Sequence, residues 1–218
     1  MEESVEESLR QIKTGYWPVL PCQEESPYIR TLISKLHLLP HPEGGYYAET
    51  DRSLQRVPNP FRESADDKDT TRSASTVIYY LLTPVTPLGV FHRNRGRTVH
   101  TWHHGHGRYV IIHADEVEES GAATTKARIE TFEVGPDIAR GQRMQWIVEG
   151  GKYKASFLLD SPEEDGNHAS AGSNGLLISE VVIPGFEFAD HDFLRREKME
   201  RLLTPEQVEQ LSWMLRKI

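Results

Sequence analysis

The central part of the chain alternates short apolar runs with polar segments rich in glycine and proline. Runs of four to eight β-branched, aromatic and aliphatic residues between turn residues are typical of strands. Several short strands joined by turns indicate an antiparallel sandwich or barrel rather than a parallel sheet with crossover helices. The predicted strands between residues 44 and 184 are Tyr46–Thr50, Thr76–Leu82, Val90–Arg93, Val99–His104, Tyr109–Ala114, Arg128–Val134, Met144–Val148, Tyr153–Leu159 and Leu176–Ile183.

Helical patterns flank this β-rich region on both sides. Ser26 and Pro27 suit the N-cap and first position of a helix, and the residues that follow place their apolar side chains on one face. Near the other end, Thr204 and Gln207 match a capping box with a proline between them. We therefore expect an extension at residues 1–25, a barrel domain at 26–200 and a C-terminal helix within 201–218 that packs on the barrel.

Three long segments are too polar to contribute to a core, namely residues 51–74, 115–127 and 160–175. Segments of this length without an apolar period are predicted to be surface loops.

Composition and charge restrict the classes of function. No apolar run is long enough to span a membrane, and the formal net charge of −8 repels nucleic acid and anionic membranes. The single cysteine, Cys22, cannot form an internal disulfide, and the acidic start lacks the features of a secretory signal. We expect a cytoplasmic protein with neither a nucleic acid nor a membrane as partner. An anionic ligand would need a local basic patch.

The strongest chemical signal is a histidine-rich strand pair at residues 91–106. Six of the ten histidines lie between positions 92 and 113. Because side chains alternate across a strand, His100, Trp102 and His104 are predicted to share one face, and His92 to point inward from the preceding strand. An indole between imidazoles suits a pocket that stacks a ligand and exchanges protons near neutral pH. The alternative is that histidines beside glycines hydrogen-bond locally in a turn.

Metal binding is a second interpretation, since imidazole is a ligand for zinc, iron, copper and nickel. The spacing is incomplete, because Asn94 stands where the second histidine of a His-x-His pair would lie. Asparagine is a poor ligand for these metals. The pair that remains for a metal is His92 and His100.

The order and spacing of several motifs resemble the cupin_5 family, also called DUF985, of RmlC-like cupins. The resemblance covers roughly residues 29–200 and implies a mostly-β fold, the cupin double-stranded β-helix or jelly-roll barrel. It also implies a homodimer, similar in shape to deoxysugar epimerases of nucleotide-sugar metabolism. The motifs that carry it are His41–Tyr47 with Glu49 and Thr50, Ser75–Leu82, Phe91–Arg93, Trp102 and His103, Gly107, Gly141–Arg143 and Pro184–Phe188.

Two departures from the family pattern change the expected pocket. The family has glutamate where this chain has His100 and glutamine where it has Lys154, so both exchanges move the pocket toward positive charge. Lys154 also falls where metal-bearing cupins supply a further histidine, and an ammonium group opposes metal binding. The resemblance therefore favours an anionic ligand and no cofactor, while a divalent metal at His92 and His100 stays open.

Three hypotheses follow. The leading one is metal-independent proton transfer, such as epimerisation, isomerisation or cyclisation of a small anionic metabolite or sugar derivative. The second is a metal-dependent oxygenase or lyase that uses His92 and His100, and the third is a non-catalytic ligand-binding or sensing module. The predicted catalytic residues are His92, His100, His104 and Lys154. The predicted substrate-binding residues are Tyr80, Arg93, Trp102 and Glu187, each of which also has a simple packing or surface role as its alternative.

Overall fold

The computed structural model describes residues 24–62, 64, 68–120, 125–159 and 175–217, with the backbone alone described for residues 118–120. Cys22, nearly all of the predicted N-terminal extension and nearly all of the predicted loop at 160–175 lie outside the described residues.

Two antiparallel sheets face each other and form the barrel. The nine predicted strands are all present, with ends that shift by no more than two residues. The six-stranded sheet has the order β1 (Leu39–Pro40), β2 (Tyr46–Arg52), β5 (Thr76–Leu82), β12 (Leu176–Ile183), β7 (Arg97–His104) and β10 (Gln145–Val148). The five-stranded sheet has the order β13 (Asp192–Phe193), β6 (Leu88–Arg93), β11 (Tyr153–Leu158), β8 (Gly107–Ile112) and β9 (Ile129–Val134). The predicted mostly-β jelly-roll fold is confirmed.

Side-chain alternation divides each sheet into an inner and an outer face. Buried aromatic and aliphatic residues from both sheets, among them Tyr80, Tyr109, Trp146 and Ile178, pack between the sheets. Residues one position away, such as Leu81 and Leu177, belong to a separate cluster on the outer side of the six-stranded sheet. A polar side chain on the inner face is thus enclosed by the barrel.

Helices cover the outer faces, as the sequence predicts. Helix α1 (Pro27–Lys35) begins at Ser26, whose Oγ accepts a hydrogen bond from the Ile29 amide at 3.2 Å, and Ile29 packs on the six-stranded sheet. Helix α4 (Pro205–Leu211) begins with the predicted capping box and packs on the five-stranded sheet together with α3 (Arg196–Leu202), which the sequence reading missed. No helix among the described residues is long and apolar enough to cross a membrane.

Two of the predicted loops contain regular structure instead. The segment 51–74 includes a hairpin of β3 (Arg56–Pro58) and β4 (Thr71–Ser73), and the segment 115–127 begins within α2 (Ala114–Ser120). The polar composition was misleading because Arg72 is 4% exposed and has an acidic partner far along the chain. Arg72 is therefore buried through its ion pair with Asp190 and not through an apolar side chain, so a search for apolar runs misses this strand.

Candidate functional site

The centre of the barrel holds a compact polar cluster of Lys154, His100 and Glu180. Lys154 lies on β11, whereas His100 and Glu180 are paired neighbours on β7 and β12 of the opposite sheet. The Lys154 Nζ donates to Glu180 Oε2 at 2.6 Å and to His100 Nε2 at 2.9 Å. All three residues are less than a tenth exposed. The cluster therefore links the two sheets through the interior.

The charge states of this cluster follow from burial and mutual contact. Burial, followed by the charge of Lys154, lowers the pKa of His100, so its imidazole is neutral at pH 7. Burial would raise the pKa of Glu180, but the charge of Lys154 outweighs it and holds this pKa well below its ordinary value. A neutral imidazole that accepts a hydrogen bond at Nε2 presents a lone pair there.

A second cluster joins Glu43, His92 and His191. Glu43 precedes β2, His92 lies on the inner face of β6, and His191 follows β12 by eight residues. His191 Nε2 lies 2.6 Å from Glu43 Oε1, and His92 Nε2 lies 3.3 Å from Glu43 Oε2. The two imidazole rings are stacked, with centroids 5.4 Å apart. His41 adds a third imidazole 3.5 Å from the same carboxylate.

The tautomer of His92 is fixed by its backbone neighbour. Its Nδ1 lies 2.9 Å from the Val90 carbonyl oxygen, which can only accept, so Nδ1 carries the hydrogen. Burial lowers the pKa of His92 to about 4, although Glu43 opposes this, and the ring is neutral at pH 7. Burial would raise the pKa of Glu43, but the electrostatic interaction with His92 and the hydrogen bond with His191 lower it to about 2. The lone pair on His92 Nε2 therefore faces an ionised carboxylate.

A cavity of about 480 Å³ adjoins this second cluster through His191. Arg93, the last residue of β6, and Arg95, on the loop that follows, line it with Asn94 between them. The side-chain oxygen of Asn94 is buried and has no hydrogen-bond partner among the described residues. The remaining lining residues are Phe61, Gly151, Ala189, Asp190 and Asp192.

The structure places two of the predicted aromatic residues on the inner side of the barrel. Tyr80 is 3% exposed, and its hydroxyl donates to the Gly44 carbonyl oxygen at 3.0 Å. Burial, together with Glu43 and Glu180, raises the pKa of Tyr80 well above its ordinary value, so the phenol stays protonated. Trp102 packs against the interior cluster, and its indole N–H donates to the Gly105 carbonyl oxygen at 2.8 Å.

The structure places His104 on the opposite face from His100, so the predicted shared face is wrong for this residue. Trp102 pairs with Ile178, but His104 pairs with the adjacent Leu177, because a bulge interrupts the register. A bulge adds one residue to a strand and reverses the alternation beyond it. His104 contacts the edge of Tyr28 on helix α1, with ring centroids 5.6 Å apart, outside the barrel.

Two predicted binding residues already have partners at the surface. Glu187 is partly exposed and forms an ion pair with Arg52 at 3.1 Å, so the structure does not bring it to either cluster. Arg93 lines the cavity, while its Nε donates to Asp192 at 3.0 Å and its guanidinium lies over the ring of Tyr153.

The two histidines predicted as a metal pair, His92 and His100, contact different partners. The Nε2 lone pair of His100 accepts a hydrogen bond from Lys154, so that nitrogen is engaged by a cation. His92 is directed instead to Glu43. Within the described residues, the one set of three donors whose ligand atoms lie within 4.8 Å of one another is Glu43, His92 and His191.

Sequence reasoning missed three residues of these clusters, two of which carried a weak signal. Glu180 is the one charged residue in the apolar run of β12, and its position gives it the inward face. Glu43 lies within the His41–Tyr47 motif, whose order and spacing indicate the family but not a role for this carboxylate. His191 lies between two aspartates after the last long strand, and no local pattern connects it with His92.

Comparisons with known proteins agree with this architecture. The chain is 38% identical to the uncharacterized protein YML079W of Saccharomyces cerevisiae, over 98% of this chain and 100% of that protein. A hypothetical protein from Leishmania major superposes with a TM-score of 0.67 at 28% identity, covering 86% of this chain and 98% of that one. Protein SO0799 from Shewanella oneidensis superposes with a TM-score of 0.61 at 23% identity, covering 90% and 100%, and shows the fold alone. The family model described as "Cupin superfamily (DUF985)" matches residues 30–194, and the chain therefore belongs to the Cupin_5 family.

Proposed function

We propose that this cupin is an enzyme that binds a small anionic metabolite or sugar derivative and catalyses a proton transfer, as in epimerisation, isomerisation or cyclisation. The observation that carries the proposal is the buried contact of the Lys154 ammonium with the neutral His100 imidazole and the Glu180 carboxylate. A base and a fixed positive charge side by side are what abstraction of a proton next to a carbonyl or carboxylate needs.

Each member of the cluster has a distinct role in this proposal. An ammonium group has three N–H donors, and two of those of Lys154 reach acceptors among the described residues. A ligand oxygen takes the third donor and the developing negative charge. As this oxygen draws Lys154 toward itself, the Nε2 lone pair of His100 becomes the proton acceptor. Glu180 accepts a hydrogen bond from Lys154 at 2.6 Å, holds that side chain in place and is a positioning residue.

The anionic character of the ligand is supported by the mouth of the barrel. Arg93 and Arg95 line the cavity beside His191. The wall also contains two aspartates, one of which, Asp190, forms an ion pair with Arg72, a residue outside the lining. Guanidinium groups bind carboxylates and phosphates with two parallel hydrogen bonds. Tyr80 and Trp102 remain candidates for contact with a sugar or aromatic ring.

Solvent isotope exchange tests the reaction class without a known substrate. We expect the protein, incubated with a pool of small metabolites in D₂O, to add one deuterium to an anionic species, because an abstracted C–H proton is replaced from solvent. His100→Gln and Lys154→Gln should each lower the exchange rate by about 10²-fold or more. Mass spectrometry follows the isotope, and affinity capture of the same metabolites reports binding.

His103→Gln is the matched control, since His103 lies on the same strand and contacts Tyr79 on the outer side of the sheet. It should leave exchange unchanged. Retained metabolites that never acquire deuterium would instead identify a binding or sensing module. The observation that favours this function is that Lys154 already bonds to His100 and Glu180 without a ligand. Full exchange in His100→Gln would show that the base lies elsewhere.

We also propose that the protein forms a homodimer and is cytoplasmic. The cytoplasmic location is supported by the presence of only one cysteine, since proteins of oxidising compartments commonly contain disulfides. An apolar row crosses the outer face of the six-stranded sheet, formed by the paired residues Ile147, Val99, Val181 and Val77. Ile147 is 46% exposed. We propose that this row packs on the same row of a second copy.

Light scattering after gel filtration tests the dimer. Ile147→Lys places a charge within the apolar row and is expected to convert the dimer to a monomer, because an unpaired buried charge costs several kcal/mol. Leu54→Lys is the control, since Leu54 is 97% exposed and lies outside the row. A monomeric wild type, or a dimer in both variants, would exclude this interface.

A further inference from the structure

The cluster of Glu43, His92 and His191 has the composition of a metal site. It offers two imidazole nitrogens and one carboxylate oxygen, all within 4.8 Å of one another, and each residue comes from a different part of the chain. Two imidazoles and one carboxylate are the donor set of many iron, zinc and manganese sites. The cluster is distinct from the pair of His92 and His100 that the sequence predicted.

One of the donor distances already matches that of a filled site, and a second is shorter. Metal bonds of about 2.1 Å at tetrahedral or right angles place neighbouring donors about 3.0–3.4 Å apart. His92 Nε2 and Glu43 Oε2 are 3.3 Å apart, while His191 Nε2 and Glu43 Oε1 are 2.6 Å apart. A small rotation of His191 would admit an ion between its ring and the carboxylate.

The hydrogen atom on His92 supports the same interpretation. The Val90 carbonyl holds Nδ1 as the donor, so Nε2 directs its lone pair at the Glu43 carboxylate. Two electron-rich atoms in contact need a cation between them, either a proton or a metal ion. Metal-bound histidines commonly donate their other N–H to a backbone carbonyl in this way.

The Glu43 carboxylate has no competing cationic side chain among the described residues. Its ion-pair partners within 4.0 Å there are all imidazoles, namely His41, His92 and His191. Glu180, in contrast, is bonded to the ammonium of Lys154. A carboxylate in contact with imidazoles alone can bind a divalent ion without first breaking an ion pair.

The neighbouring cavity gives such an ion access to a ligand. His191 belongs both to the donor set and to the wall of the cavity of about 480 Å³. Catalytic metal sites use about three protein ligands and leave a position for water or substrate. Asn94 in the same wall has a buried oxygen without a partner among the described residues, and Arg95 adds a positive charge.

We propose that Glu43, His92 and His191 bind one divalent transition-metal ion, whose open coordination position faces the cavity and takes an oxygen of a carboxylate or similar anionic ligand. This site does not depend on the proton transfer proposed above. Metal binding can be measured whether or not the protein turns over a substrate.

Titration of the untagged, chelator-treated full-length protein with Co²⁺ and Zn²⁺ tests the site. We expect one equivalent to bind, with a visible Co²⁺ absorption band and heat in calorimetry. His191→Phe and His92→Gln should each weaken Zn²⁺ binding by about 100-fold or more. His191→Phe is the safer variant for folding, because His191 is at the mouth of the barrel, and circular dichroism checks both.

His100→Gln and His103→Gln are the controls and should keep one equivalent. Binding of less than a tenth of an equivalent by the wild type would overturn the proposal. Undiminished affinity in folded His191→Phe would do the same. Loss of the ion in His100→Gln but not in His191→Phe would transfer the site to the pair predicted from the sequence.

Discussion

Glu180→Leu is expected to destabilise the protein by about 3–5 kcal/mol, because it leaves the Lys154 ammonium buried without an anion. Lys154 is 2% exposed and lies 2.6 Å from the Glu180 carboxylate. The remaining partner, His100, is neutral and accepts one hydrogen bond but supplies no charge. Lys154→Met alone should cost a similar amount, since it leaves the carboxylate of Glu180 uncompensated. Urea unfolding of each variant gives the free energy.

The double variant separates charge pairing from packing. Glu180→Leu with Lys154→Met removes both charges and replaces them with side chains of similar volume, so most of the single-variant loss should be recovered. A folded double variant without isotope exchange would show that the pair is retained for chemistry rather than for stability.

Glu200→Gln is the comparison on the surface. Glu200 is bonded to Arg196 at 2.9 Å within helix α3, but both side chains are more than half exposed. Exposed pairs of this kind contribute at most about 0.5 kcal/mol. If Glu180→Leu cost no more than Glu200→Gln, the buried contact of Lys154 with Glu180 would contribute no more to stability than a surface ion pair.

The strands and helix caps were predictable because they depend on neighbouring residues. The apolar runs that became β5 and β12 have the predicted ends, and Ser26 and Thr204 cap the helices that they were expected to begin. Alternation likewise placed His100 on the inner face. Local sequence is sufficient to predict the face of a side chain where a strand pairs regularly, and to predict the start of a helix where the cap residue bonds to the first turn.

The candidate site was only partly predictable, because its contacts join distant parts of the chain. The bulge that turns His104 outward depends on the pairing of β7 with β12, which a single strand does not reveal. Glu180 and Lys154 are 26 residues apart, and His191 and Glu43 are 148 apart. Lys154 and His92 could be predicted as site residues from their residue type. Their acidic partners, Glu180 and Glu43, could be identified only from the folded barrel.

The pair of Arg72 and Asp190 illustrates how a polar segment was misread as a loop. Arg72 lies on β4 and bonds to both carboxylate oxygens of Asp190, with Nη2 to Oδ1 at 3.1 Å. Both residues are less than a tenth exposed. The pair joins the hairpin of β3 and β4 to the segment that contains His191.

Asp190→Ala is therefore expected to cost about 3 kcal/mol or more, because it leaves the Arg72 guanidinium buried without its main partner. It should also weaken Co²⁺ binding, since His191 is the next residue and the Asp190–Arg72 pair no longer holds this segment in place.

Asp69→Ala is the matched control: Asp69 lies 3.8 Å from the same guanidinium but is 54% exposed, so its loss should cost under about 1 kcal/mol. Urea unfolding and Co²⁺ absorption measure the two effects. Equal costs for both variants would show that the fold does not depend on the buried pair, and unchanged Co²⁺ affinity in Asp190→Ala would show that His191 is positioned by other contacts.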